Sequence, residues 1–232
     1  IVTQTFPPRI GGMQSVMSAL AKNFSKTIPT YVFPDHNIPN THSIRSYKIE
    51  FIFSKFPKIF RPFIKRIKLK NNLKEDDIII CDSWKSLNAL PNTNNKVVML
   101  AHGQEFLSKS KKNKINKLLE KVSIVISSST YTKNVFLNIY KFPESKTHVI
   151  PPTYEIENDK IKIQNKSSNK EDLILTTISR LEERKGFLPV IKVLKNLIEK
   201  KLINNFMWSI YGDGYLKKKI KEKINYYKLN KY

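Results

Sequence analysis

At 232 residues the chain is longer than one minimal domain and short for two full doubly wound domains, so length permits a single large domain or a truncated pair. Apolar residues make up 40% of it, enough to build a core, and no run reaches the roughly 18 uninterrupted apolar residues of a membrane-spanning helix. Lys and Arg number 42 against 19 acidic residues, a formal charge of +23, which favours anionic partners (membrane surfaces, nucleic acid, phosphorylated substrates) without choosing among them.

Cys81 is the sole cysteine and cannot form an internal disulfide, which fits a reducing compartment. The sequence opens on Ile1 rather than Met and carries no basic or apolar leader segment, so a cytoplasmic protein with its true N-terminus missing is expected.

In chain order, the apolar start Ile1-Val2 reads as a strand, Gly11-Gly12 as a turn, and Met13, Val16, Met17, Leu20 and Phe24 as one stripe of a helix. Strand, glycine turn and helix open a βαβ unit. Short strands are then expected at Tyr31–Phe33, Tyr47–Phe53, Asp77–Cys81, Val97–Ala101, Ile124–Ser127 and His148–Ile150, with helices at Lys111–Lys121 and Tyr131–Tyr140. This alternation predicts an α/β fold with a parallel sheet covered on both faces. Pro151-Pro152 and the polar stretch to Asp172 read as an interdomain linker. Beyond it come strand Leu173–Ile178, helix Leu188–Lys200, strand Phe206–Tyr211 and a final helix from Tyr215 to the chain end. The expected domains are therefore residues 1–150 and 173–232, joined by 151–172, with too few βα units in the second for an independent doubly wound domain.

Ligands of open parallel sheets bind beyond the carboxyl ends of strands, where helix N-termini offer backbone N–H groups. Gly11-Gly12, His102-Gly103, Arg180 and Gly212-Asp213-Gly214 each follow a strand in this reading, which predicts a cleft between two sheets. Gly-Gly makes tight turns as readily as it admits a phosphate, and a His that closes a strand is often structural. Gly103 and Glu105 beside His102 argue for a shaped polar loop. In Ser179-Arg180-Leu181-Glu182-Glu183-Arg184-Lys185-Gly186-Phe187, two cations five apart flank a turn before a helix, where both can meet a diphosphate; a solvated surface loop is the other reading.

The ordered set Phe6-Pro7-Pro8-Arg9-Ile10-Gly11-Gly12, Ala101-His102-Gly103-Gln104-Glu105, Ser127 to Lys133, Ser179-Arg180-Leu181 with Lys185-Gly186, and Tyr211-Gly212-Asp213-Gly214 resembles the family 4 glycosyltransferases of GT-B fold. The resemblance implies two Rossmann-like domains, an acceptor-side one first and a nucleotide-sugar-binding one second and incomplete. It further implies sugar transfer from a nucleotide-sugar donor with retention of configuration, to a cell-envelope glycan or a lipid-linked acceptor. His102, Arg180 and Lys185 would be catalytic, and Gly11, Gly12, Arg180, Lys185, Gly186 and Gly212 would bind the donor. Two departures stand out: Pro151-Pro152-Thr153 replaces the family's Pro-Asn-Gly hinge, and the family's spaced glutamate pair is not in the sequence. No metal or cofactor is expected, because His36, His42, His102 and His148 show no ligand spacing with carboxylates or Cys81.

Lys55 to Lys70 places Phe56, Ile59, Phe60, Phe63, Ile64 and Ile67 on one helical face with basic residues around the rest, and Pro62 kinks or restarts that helix. Lys58, Arg61, Lys65 and Arg66 are candidates to face an anionic membrane, giving peripheral attachment at its inner face; a core-facing helix with a solvated basic side is the alternative. Two rival readings remain: an inactive remnant of the same fold, and a basic nucleic-acid-binding protein, which lacks any helix-turn-helix, zinc or RNP pattern.

Overall fold

The computed structural model describes residues 1–35, 48–49, 57–107, 109–152, 173–203 and 206–230. The chain divides into two compact units, Ile1–Glu157 and Asn158–Tyr232.

In the first unit the apolar runs form parallel strands β1 (Tyr31–Val32), β2 (Lys48–Ile49), β3 (Ile78–Cys81), β4 (Lys96–Ala101), β5 (Ile124–Ser127) and β6 (Thr147–Val149). Strands β3 to β6 are hydrogen-bonded in sequence order, and β1 pairs with β2. The expected first strand is reduced to Val2, which bridges in parallel to Phe33 on one side and to Cys81 on the other. Ordinary ladder bonds hold it there: Val2 N to Ile80 O at 2.8 Å and Asp82 N to Val2 O at 3.1 Å. The spatial order β2, β1, Val2, β3, β4, β5, β6 is that of a doubly wound sheet, and it reverses direction at Val2. Of the expected Tyr47–Phe53 strand, Tyr47 and residues 50–53 lie outside the described residues.

Alternating side chains face two layers. Ile79, Cys81, Val97, Met99 and Val125 pack against α2 (Arg61–Asn72), α3 (Lys112–Leu119) and α4 (Thr130–Ile139) through Leu69, Ile115, Leu119 and Phe136. On the other face α1 (Gly12–Phe24) buries Met17 and Ala21 with Phe6, Val32 and Leu100. Helix α4 starts where Ser129 Oγ accepts the Thr132 amide at 3.1 Å, an N-cap that satisfies one orphan donor.

Pro62 restarts the helix rather than kinking it. Lys58–Phe60 form a 3-10 turn and α2 begins at Arg61, with proline in its first turn where no N–H is needed. The face expected to be apolar is not the buried one. Lys65 and Leu69 are buried, whereas Ile59, Phe60, Phe63 and Ile67 are exposed. Lys65 is thereby removed from any membrane-facing set: it is 1% exposed and its ammonium is ion-paired with Asp35. Phe56 and the side chain of Lys58 lie outside the described residues.

The second unit holds parallel strands β7 (Leu173–Ile178) and β8 (Phe206–Tyr211), paired over their full length. Helices α5 (Phe187–Glu199) and α6 (Lys217–Tyr226) cover one side through Phe187, Ile191 and Ile220, and Phe187 stacks on Trp208 at 6.2 Å. The last helix does not continue to the chain end. It closes at Tyr226, where Lys228 takes φ 55° and the Leu229 amide returns to Ile224 O, an end that buries Leu229. Residues 153–172, most of the expected linker, lie outside the described residues. Among the described residues no helix is long and apolar enough to cross a membrane.

Candidate active site

The expected site residues fall into the two units: Gly11, Gly12 and His102 in the first, Arg180, Lys185, Gly186 and Gly212 in the second. In the first unit the loop after β4 is built from its glycine outward. Gly103 has φ 110°, a backbone conformation that favours glycine, and a Cβ there would press on Thr132 Oγ1 at 3.0 Å. The turn lets Glu105 Oε1 accept the His102 backbone amide at 2.8 Å. Phe106 then anchors the loop, fully buried edge-on against Phe136 and Tyr140 at 5.1 and 5.5 Å. Burial, with a smaller push from Glu105, raises the Tyr140 hydroxyl above its usual range.

This fixed loop leaves one ring nitrogen of the imidazole without a partner. His102 Nε2 is buried without a hydrogen-bond partner, and such a group normally has one. The residue borders two cavities. One of about 280 Å³ is lined mainly by apolar side chains of α1 and the strands, including Val16, Leu20, Leu100 and Ile126. The other, about 590 Å³, is lined by Gly12, Met13, Ser15, Val16, His102, Ser128 and Pro152. Gly12 and His102 thus share one cavity wall. Internal packing makes no demand for glycine at 12, because a Cβ there would have open space within 4 Å.

In the second unit, Arg180 follows β7, and Glu183–Lys185 form a 3-10 turn that ends at Gly186, the N-cap of α5. The decisive contacts come from a residue the sequence reading passed over. Glu182 takes Arg180 Nη1 on Oε1 at 2.9 Å and Arg184 Nε on Oε2 at 2.7 Å. The Arg184 hydrogen bond, with the charges of Arg180, Arg184 and Lys185 adding to it, holds the Glu182 carboxyl below its usual range. Lys185 is exposed on the same turn. The Glu-Glu-Arg spacing beside Arg180 was the available signal for this clasp.

Gly212 has a structural task. A Cβ on it would fall 1.9 Å from the Ser179 carbonyl oxygen. Its absence lets the turn after β8 close on the segment after β7, through Ser179 N to Tyr211 O at 3.1 Å and Leu181 N to Asp213 O at 2.9 Å. Tyr215 Oη adds a bond from the Glu183 amide at 3.3 Å. Gly212 thereby supports the Arg180 turn from behind. Among the described residues no His, Cys, Asp and Glu side chains cluster as a metal site would require.

A family profile for glycosyltransferase family 4 matches residues 10–158. The chain belongs to glycosyltransferase family 4. An uncharacterized glycosyltransferase of Methanocaldococcus jannaschii is 26% identical over 196 residues, covering 75% of this chain and 47% of that protein. Among solved structures, Anabaena HepE in complex with UDP and glucose superposes with a TM-score of 0.67 at 16% identity, over 98% of this chain and 66% of its own. TarM of S. aureus, in a complex that includes UDP, gives 0.55 at 22% identity over 74% and 35%. WaaG, a glycosyltransferase involved in lipopolysaccharide biosynthesis, gives 0.62 at 13% over 100% and 67%. These likenesses establish the α/β architecture as GT-B in type. The family 4 chain spans about half the length of its curated relative.

Proposed function

We propose that this family 4 member takes part in transfer of a sugar from a nucleotide-sugar donor, with retention of configuration, to a cell-envelope glycan or lipid-linked acceptor. The observation that carries the reading is the cationic turn before α5, where Arg180, Arg184 and Lys185 border the helix start and Glu182 orients two of them. Departure of a nucleoside diphosphate builds negative charge on its phosphates. Preorganised guanidinium and ammonium groups at that point stabilise the transition state more than the ground state. Arg180 and Lys185 take that role and need no metal to take it, Gly186 opens α5 toward the diphosphate, and His102 offers its free Nε2 to the donor sugar. Gly11 and Gly12, at the start of α1, line the phosphate or acceptor side of the same donor.

UDP is the first nucleotide to try, since HepE and TarM were both crystallised with it. The test is release of nucleoside diphosphate from a panel of UDP-sugars, with glycan and lipid-linked acceptors supplied. Arg180-dependent release supports the reading. Nucleotide binding without release would favour the inactive remnant, and neither binding nor release would remove the donor assignment.

Peripheral attachment to an anionic membrane belongs to the same proposal, and a specific observation favours it. Ile59 and Phe63 are 81% and 61% exposed at the start of α2, beside Arg61 and near the exposed Arg66. An apolar edge ringed by cations suits the headgroup region of a bilayer at the cytoplasmic face. Flotation with phosphatidylglycerol vesicles should carry the chain upward at low salt and release it at high salt; no salt-sensitive flotation would retire this part.

A further inference from the structure

The carboxyl edge of the first sheet, at the point where strand order reverses, is where doubly wound sheets bind ligands. In this chain that point is filled by a buried charged cluster that neither the expected donor site nor the expected membrane face explains. Thr3, Asp35 and Asp82 follow the three central strand positions, Val2, β1 and β3. Lys65 reaches them from α2, its ammonium donating to Thr3 O at 2.8 Å and ion-paired with Asp35.

Asp82 is 2% exposed and fully engaged. Oδ2 accepts Thr3 Oγ1 and the Gln4 amide, each at 2.8 Å, and Oδ1 accepts Ser86 Oγ at 2.6 Å and Ser83 Oγ at 3.2 Å. Thr3 and Gln4 are the root of the loop that runs through Phe6 and Arg9 to Gly11-Gly12 and α1. That root is therefore gripped twice, at the Thr3 carbonyl by Lys65 and at the Thr3 hydroxyl and Gln4 amide by Asp82. Further along, the Thr5 amide donates to Thr3 Oγ1 at 3.2 Å, Phe6 is buried, the Arg9 amide donates to Phe6 O at 3.3 Å, and Ile10 is fully exposed.

A buried ammonium is an expensive way to gain stability, since its desolvation consumes most of the attraction to its partners. Burial lowers the affinity of Lys65 for its proton, and Asp35 and Asp82 act against that shift. Such groups are better suited to fixing one geometry than to adding stability. We infer that Lys65 is a positioning residue: with Asp35 and Asp82 it fixes the root of the Gln4–Gly12 loop, and so sets where Gly12 stands opposite His102 in their shared cavity. The inference rests on the transferase reading only in taking that cavity to be part of the transfer site.

The test is hydrogen–deuterium exchange of the 232-residue chain without any substrate, comparing wild type with Lys65→Met and Asp35→Asn. Lys65→Met should speed exchange in peptides covering residues 4–12 at least tenfold while those covering Lys96–Ala101 and Ile124–Ser127 stay within twofold. Asp35→Asn keeps the Lys65 bond to Thr3 and should speed the same loop about threefold, and it decides the matter if Lys65→Met does not fold. Unchanged loop exchange, or a uniform rise across the sheet, would overturn the inference by making Lys65 an ordinary core group. No transferase assay enters, so failure of the functional reading would show separately as absent sugar transfer with the exchange result intact.

Discussion

Arg180 Nη1 lies 2.9 Å from Glu182 Oε1, while Arg184 holds the other oxygen of the same carboxylate. One acidic side chain therefore aligns two guanidiniums at the turn that opens α5. Neutralising the cations should show directly in catalysis. Arg180→Ala or Lys185→Ala is expected to lower turnover by about a hundredfold to a thousandfold, equivalent to about 3 to 4 kcal/mol for loss of one preorganised donor. Steady-state release of nucleoside diphosphate measures it, and wild-type turnover in either variant would remove the diphosphate role.

The same clasp has a pH signature. Glu182 is held below its ordinary value of 4.5, chiefly by the Arg184 hydrogen bond. A depressed carboxyl contributes its stabilisation above the unfolded value, and that contribution is lost as pH falls through the lower folded value. Carboxyl-carbon NMR should place the Glu182 midpoint below 4.5 in the wild type and return it toward 4.5 in Arg184→Ala. A midpoint at or above 4.5 in the wild type would mean the clasp is absent in solution.

The order of the main strands and helices was legible because β3, β4, β5, β7 and β8 are apolar runs of four to six residues closed by a polar or glycine turn, as at Ile78–Cys81 and Phe206–Tyr211. The position of His102 after β4 followed from the same signal. The partners of Lys65 were not legible. They lie 30 and 62 residues away in sequence, at Asp35 and Thr3, and only the sheet order brings them together. The basic amphipathic pattern groups Lys65 with the outward-facing cations of that helix, whereas the fold turns it inward and leaves Phe63 and Ile67 exposed. The packing demand at Gly212 was not legible for a related reason: its close neighbour, the Ser179 carbonyl, lies after β7, more than 30 residues earlier in the chain.

Cys81 offers a check on the first unit's core. Burial, reinforced by the Asp82 charge, pushes its thiol from about 9 up to about 12. The folded chain then keeps a proton that the unfolded chain releases near pH 9. The stabilisation is complete below pH 9 and is lost progressively between 9 and 12, at up to about 1.4 kcal/mol per pH unit. Urea melts of wild type and Cys81→Ala at pH 8 and pH 10 isolate this group from the titrating lysines. The wild-type advantage should shrink by about 1.4 kcal/mol between the two; a constant gap would mean the thiol ionises inside the fold.

Two glycines that look alike in the sequence should respond in opposite ways to gaining a methyl group. At Gly212 the added Cβ would sit 1.9 Å from the Ser179 carbonyl, and φ 148° is unfavourable for an L side chain. Gly212→Ala must part the turn after β8 from the Arg180 segment, at a cost of about 3 kcal/mol or more. At Gly12, the first residue of α1, a Cβ meets nothing within 4 Å, so Gly12→Ala should leave stability unchanged or raise it by up to about 1 kcal/mol. Trp84 and Trp208 are the only tryptophans, one in each unit. In a Trp84→Phe background urea denaturation followed by Trp208 fluorescence therefore reports the second unit alone, and circular dichroism reports the whole chain. A Gly12→Ala protein that folds normally but loses transfer would place a ligand in the open space beside that residue. If Gly12→Ala is fully active, the glycine loop serves α1 and the ligand contact must be sought elsewhere on the His102 cavity wall.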